Sequence, residues 1–182
     1  MDHLGGARRY QDPDGHYPEL WDWMLERYRV RTILDIGCGR GYTIQYFKSK
    51  GCETIGVEGH KRWSRWGPQP IINHDLITGP CKVPIVDLVW CCEVVEHIEA
   101  QYVQNIVETM RCGRIVAMTH TLPGYRGYHH VNCQDSQYWI DLLANGGFVF
   151  LGEDTKQSRT MAHGYWLRSG LIFQNPEPRS AR

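Results

Sequence analysis

The stretch "TILDIGCGRGYTIQYF" (residues 32–47) changes its periodicity halfway along. Residues 32–37, "TILDIG", read as a short apolar strand that carries one acid, Asp35, and ends in glycine. Glycines stand at 37, 39 and 41, and "YTIQYFKSKG" (42–51) then reads as a helix closed by Gly51. Strand, glycine loop and helix in that order are the opening unit of an open α/β sheet whose ligand sits beyond the strand's carboxyl end.

The flanking sequence continues the alternation. Upstream, "YPELWDWMLERY" (17–28) predicts a helix, with Pro18 in its first turn and Leu20, Trp21, Met24, Leu25 and Tyr28 on one stripe. Downstream, strands are expected at 53–59, 70–75, 86–92 and 113–121, and helices at 100–110 and 136–147. Residues 148–154 and 164–175 read as two closing strands with a linker between them, a hairpin-like addition at one edge. The expected fold is α/β: a Rossmann-like open sheet, mostly parallel with an antiparallel last strand, and helices on both faces. Residues 17–175 form one domain, 1–16 a flexible or ligand-ordered arm, and 176–182 a disordered tail.

Composition narrows the function. The chain has 182 residues, with 20 Lys and Arg against 20 Asp and Glu, so no net field draws it to nucleic acid or to an acidic membrane. No apolar run approaches the roughly 20 residues that cross a bilayer, and the first residues lack the apolar core of a secretion signal. Seven cysteines (38, 52, 81, 91, 92, 112, 133) without a C-x-x-C pair point to reduced thiols. A cytoplasmic protein is expected, acting on a small molecule rather than on nucleic acid or membrane.

Polar signals recur at successive strand ends. A nicotinamide fingerprint, G-x-G-x-x-G, needs glycine where this chain has Tyr42, which disfavours an oxidoreductase. Glu58 ends the second strand about 20 residues after the loop, where an acid can hold both ribose hydroxyls of a nucleoside. Asp75 follows the third strand, placed to accept from an adenine amino group.

With those residues in view, "TILDIGCGRGYTIQYF", "GVEG", "NHDL" and "DLVWCCEVVEHI" resemble successive motifs of the class I S-adenosylmethionine-dependent methyltransferases. The similarity covers roughly residues 30–120. "PELWD" (18–22) and "HHVN" (129–132) are similar to segments of small bacterial and viral members. The resemblance implies that S-adenosylmethionine is the cofactor. Gly37, Gly39 and Gly41 would wrap its methionine part with Asp35 near the amino group. Glu58 would hold the ribose, Asp75 and Leu76 would face the adenine, and the backbone at Cys91 would line the sulfonium side.

"WCCEVVEHIEA" (90–100) gathers acids and a histidine at the end of the fourth strand. A helix starting just past Cys92 would put Glu93, Glu96 and His97 on one face. The loop 119–134 leaves the next strand on the same rim and brings His129 and His130, of which alternation lets one face the pocket; His130 is favoured. A pocket histidine could take the acceptor's proton, since its pKa lies near neutral. Alternatively Glu93, Glu96, His97 and one loop histidine could hold Mg²⁺, Mn²⁺ or Fe²⁺, a pattern similar to methyltransferases acting on the 2′-hydroxyl at RNA 3′ ends. A third possibility is a purely structural Glu–His pair under the cofactor. Histidine-assisted O-methylation of a small or sugar-like acceptor, with no metal, is the favoured expectation. Metal-assisted RNA methylation and a cofactor-binding regulatory module are its rivals. Adjacent thiols at Cys91 and Cys92 fit buried hydrophobes. Tyr17, Trp21 and Trp23 could form a lid, with Trp21 the better core candidate, and Trp63 and Trp66 could form a ligand wall.

Overall fold

The computed structural model describes residue 4, residues 13–66 and residues 70–181. The expected N-terminal arm falls largely outside these residues, as does the side chain of Trp66. Seven strands form a single sheet: β1 (Thr32–Ile36), β2 (Glu53–Glu58), β3 (Ile71–Asn73), β4 (Val86–Cys91), β5 (Gly113–Met118), β6 (Val149–Phe150) and β7 (Leu171–Gln174). Their order is β3-β2-β1-β4-β5-β7-β6. The first five are parallel to one another, and β7 runs antiparallel to both β5 and β6.

Alternation within each strand feeds two cores. On one face Leu34, Ile36, Val89, Cys91, Val116 and Met118 pack with Ile106, Val107 and Met110 of α4 (Val103–Met110) and with Trp139 and Leu143 of α5 (Ser136–Asn145). On the other, Ile33, Leu88, Trp90 and Ala117 meet Leu20, Trp21 and Met24 of α1 (Pro18–Tyr28) and Phe47 of α2 (Tyr42–Ser49). Helices therefore cover both faces, as a parallel sheet requires. Tyr17 and Trp21 are core residues of this second face, not a lid. The one acid near the start of β4, Asp87, accepts from the backbone N–H groups of Arg31 and Thr32 at 2.9 and 3.0 Å and so locks β4 beside β1.

The C-terminal part departs from the sequence expectation. Only Val149–Phe150 of the expected strand 148–154 pairs in the sheet, and α6 (Gly152–Arg159) follows at once. Its first turn carries Glu153 and Asp154 and its last Lys156 and Arg159, an order that complements the helix dipole. Residues 164–169, expected in a strand, form a short helix, α7 (Gly164–Ser169). Tertiary packing decides this: Trp166 is fully buried, stacks on Trp90 at 4.8 Å between ring centroids, and donates from its indole N–H to Ser158 Oγ at 3.0 Å. A further helix, α3 (Lys61–Trp66), follows β2. The segment expected as a disordered tail instead runs back along the domain. Arg179 donates its N–H to the Arg111 carbonyl at 2.9 Å, Ser180 Oγ donates to the Val83 carbonyl at 2.7 Å, and Ala181 is buried.

No helix among the described residues is long and apolar enough to cross a membrane. Because Trp166 ties α6, α7 and the sheet together, Trp166→Ala should lower unfolding free energy by about 3–5 kcal/mol, the range for emptying a large buried aromatic site. A reduced urea midpoint with an unchanged slope is the expected measurement.

Candidate active site

The chain leaves β1 outward to β2 and β3, then returns to β4 on the other side of β1. The crevice between the ends of β1 and β4 is the switch point of the sheet. A cavity of about 510 Å³ opens there. Ile36 pairs with Cys91, so the loops that follow these strands lie side by side. Gly37 has a φ of 70°, and a Cβ on it would stand 2.3 Å from Val94 Cγ2, so the glycine loop tolerates no side chain at that point. The Gly37 and Cys38 N–H groups donate to the Val57 carbonyl at 2.8 and 3.2 Å, folding the loop across the end of β2.

Glu58, the last residue of β2, faces this loop. Its Oε2 accepts from the Gly39 N–H at 2.8 Å and its Oε1 from the His60 N–H at 2.7 Å. Burial pushes its carboxyl up while these two bonds oppose the shift. Farther along, Asp75 caps a short turn by accepting from the Ile77 N–H at 3.2 Å, which presents Leu76 to the cavity. Trp63 and His74 line the same end, and the Arg40 guanidinium lies 4.4 Å from the Trp63 ring centroid.

Of the residues expected around the cofactor, Gly37, Gly39, Glu58, Asp75 and Leu76 line the cavity. Asp35, Gly41 and Cys91 do not. Asp35 is buried within β1, and burial followed by the Glu58 charge drives its carboxyl well above the usual range. Gly41, at φ 75°, is the N-cap of α2. Cys91 ends β4 inside the core, and its neighbour Cys92 reaches the cavity instead.

The acid–histidine cluster is built differently from the helix the sequence suggests. Glu93 sits in a bend at φ 55°, and only Val95–His97 form a single 3₁₀ turn. Glu93, Glu96, His97 and His130 nevertheless all line the cavity. Two threonines from the exit of β5 hold the acids: Thr119 Oγ1 donates to Glu93 Oε1 at 2.9 Å and Thr121 Oγ1 to Glu96 Oε1 at 3.0 Å. The Glu96 carbonyl accepts from the Val131 and Asn132 N–H groups at 2.9 and 3.0 Å, pinning the loop 119–134 to the 3₁₀ turn. Burial raises both carboxyls, and for Glu96 the charge of Glu93 adds to it.

His129 contributes its backbone. Its carbonyl lies 3.2 Å from His97 Nδ1, so that nitrogen carries the proton and Nε2 keeps a lone pair. Burial and the neighbouring His130 lower the His97 pKa to about 4, which keeps the ring neutral. His130 crosses the His97 ring edge-on at 5.0 Å. A donor atom each from Glu96, His97 and His130 lie within 4.8 Å of one another. Glu96 Oε2 and His130 Nδ1 are buried without a hydrogen-bond partner among the described residues. Two imidazoles with one or two carboxylates suit a hard or borderline divalent ion, so the donor set fits such a metal.

Sequence reasoning missed the roles of Thr119 and Thr121, which a helical cluster would not need. It also missed Tyr165 and Arg168 at the cavity, because their segment reads as a strand.

Residues 34–116 match the family model described as a methyltransferase domain. A human probable tRNA (uracil-O(2)-)-methyltransferase is 29% identical over 76 residues, covering 39% of this chain and 10% of that protein. The chain thus spans about a tenth of that relative's length. Among solved structures, the methyltransferase domain of bacterial CtHen1-C superposes with a TM-score of 0.60 at 15% identity, covering 86% of this chain and 97% of that one. An S-adenosylmethionine-dependent methyltransferase from Archaeoglobus fulgidus gives 0.56 at 18%, covering 86% and 92%. The magnesium protoporphyrin IX methyltransferase of Synechocystis PCC 6803, with bound S-adenosylmethionine, gives 0.60 at 15%, covering 84% and 73%. Sheet order, glycine loop and the match over residues 34–116 agree: this part of the chain is similar to a methyltransferase domain, and the sheet shares its fold with S-adenosylmethionine-dependent methyltransferases.

Proposed function

We propose that the domain transfers the methyl group of S-adenosylmethionine to a hydroxyl oxygen of a small or sugar-like acceptor held at the acid–histidine cluster. The observation that carries this is the convergence of Glu96, His97 and His130 donor atoms within 4.8 Å, in the same cavity as the glycine loop and Glu58. In this scheme Gly37 and Gly39 wrap the methionine part, Glu58 takes the ribose hydroxyls, and Asp75 and Leu76 face the adenine. An ionised carboxylate has about four acceptor sites. Glu58 can therefore keep its bonds to Gly39 and His60 and still accept from a ligand. Glu58→Ala should weaken S-adenosylhomocysteine binding by about 10- to 150-fold, the equivalent of roughly 1.5–3 kcal/mol for a charged hydrogen bond. Unchanged affinity by titration calorimetry would remove Glu58 from the ribose site.

The transfer is an in-line displacement in which the acceptor oxygen bonds to the methyl carbon as the carbon–sulfur bond breaks. The sulfonium becomes a neutral thioether, and the acceptor's proton must leave. His130 is the group proposed to take it, through a ring that faces the cavity with an unengaged nitrogen. Thr119 and Thr121 fix the acids, and the His129 carbonyl fixes the His97 tautomer. The donor set also favours a second form of the same reaction, in which a divalent ion is held by Glu96, His97 and His130. Such an ion would polarise the acceptor oxygen. The tRNA (uracil-O(2)-)-methyltransferase activity named for the human relative belongs to that protein; the balanced charge of this chain supports a smaller acceptor.

Removal of His130 should separate chemistry from cofactor binding. His130→Ala should cut methyl transfer by about 100-fold or more, the lower end for a positioned general base, with S-adenosylhomocysteine affinity unchanged. Exhaustive EDTA treatment distinguishes the two forms. Lost turnover that Mn²⁺ restores supports the metal, and turnover that survives chelation leaves His130 acting alone.

A further inference from the structure

The cavity changes character from its floor to its mouth. Glu58 and Asp75 line the end assigned to the cofactor, and Glu93, Glu96, His97 and His130 occupy the middle. The cavity's solvent-exposed lining, which marks the mouth, includes Tyr125 and Arg126 from the loop after β5 and Arg168 of α7, with half-buried Tyr165 beside them. These two arginines come from segments far apart in sequence and line the same cavity.

Neither makes an ion pair among the described residues, although arginines elsewhere do: Arg27 with Asp154 at 3.0 Å, and Arg111 and Arg179 with Glu108 at 2.6 and 3.4 Å. Arg168 lies over the Tyr165 ring at 5.1 Å, which orients the guanidinium without neutralising it. Its positive field reaches inward and opposes, without cancelling, the upward push that burial gives the Glu93 carboxyl. Tyr125 and Tyr128 line the same mouth with 56% and 46% of their surface exposed, so two rings stand open beside the cations.

From this arrangement we infer that the acceptor carries a phosphate, gripped at the mouth by Arg126 and Arg168, while its sugar-type hydroxyl points down to the acid–histidine cluster. The inference rests on the proposed hydroxyl methylation for the direction of the acceptor. The inner carboxylates would repel a phosphate, so the charge order of the cavity fixes one orientation. Paired guanidiniums match a dianion in charge and can bond it bidentately, which a single lysine could not do. The open tyrosine rings offer an apolar wall for the sugar or for an attached planar base.

The test measures binding without turnover, on the full chain saturated with S-adenosylhomocysteine so that the cofactor site is closed to the probes. Ribose is compared with ribose 5-phosphate, and adenosine with adenosine 5′-monophosphate, by titration calorimetry. The phosphorylated member of each pair should bind at least tenfold more tightly. Arg168→Ala and Arg126→Ala should erase that preference, and Arg168→Lys should keep part of it. S-adenosylhomocysteine affinity and melting temperature should stay unchanged in all three variants, which shows the fold intact. A larger phosphate effect in the adenosine pair assigns Tyr125 and Tyr128 to a base, and an equal one assigns them to the sugar. Equal binding within both pairs, or a preference that survives both alanine variants, overturns the inference. A phosphate preference without transfer to any hydroxyl acceptor leaves the anion site standing and defeats the proposed reaction instead.

Discussion

The pairing of β1 with β4 governs everything built above it. Asp87 fastens the start of β4 to the start of β1, and the register carries that alignment to Ile36 and Cys91 at the far end. Two loops then leave adjacent strands at the same height and have to pass each other. They can do so because Gly37 has no side chain: Val94 occupies the space a Cβ would need. One loop becomes the glycine cradle and the other carries Glu93, Glu96 and His97. A slip of one residue in this pairing would reverse the facing of each side chain and separate the cradle from the cluster.

Charge sets the second constraint. Asp35, Glu58, Glu93 and Glu96 are four carboxyls crowded into or beside one crevice, and burial raises every one of them. Such a group is stabilised in its ionised form by any cation that arrives. S-adenosylmethionine is itself a cation at sulfur and at its amino group, and a divalent metal is a stronger one. The arginines at the mouth have the opposite sign and lie where a neutral or cationic acceptor would find no advantage.

Much of this was legible in the sequence, and the misreadings have physical causes. The parallel core, β1 to β5, announces itself through apolar runs ended by glycine or acid, and the residues at those ends fall in one cavity because parallel strands finish on one side. The segment 164–169 has the aromatic content of a strand, yet Trp166 stacks on Trp90 from a helix, and local composition cannot reveal a partner 76 positions away. The end of β4 misled differently. Glu93, Glu96 and His97 have helical spacing, but Glu93 takes a left-handed backbone conformation and Thr119 satisfies its N–H at 2.8 Å. Sequence spacing brought the right residues forward on an incorrect geometry. The two arginines were invisible because their roles depend on where α7 and the loop come to rest.

That loop joins the parts into one device. Val131 and Asn132 hang from the Glu96 carbonyl, and the His129 carbonyl fixes His97. His130 lies so close to Gly127 that a Cβ there would overlap its ring at 2.2 Å. The segment that supplies the third donor atom therefore also orients the second and anchors on the first. It carries Tyr125, Arg126 and Tyr128 to the mouth as well. An acceptor that engages Arg126 pulls on the same backbone that sets His130 against His97. In the proposed reaction, recognition at the mouth and proton handling at the cluster would share this one loop, and an acceptor lacking the outer anchor would forfeit part of the alignment on which an in-line displacement depends.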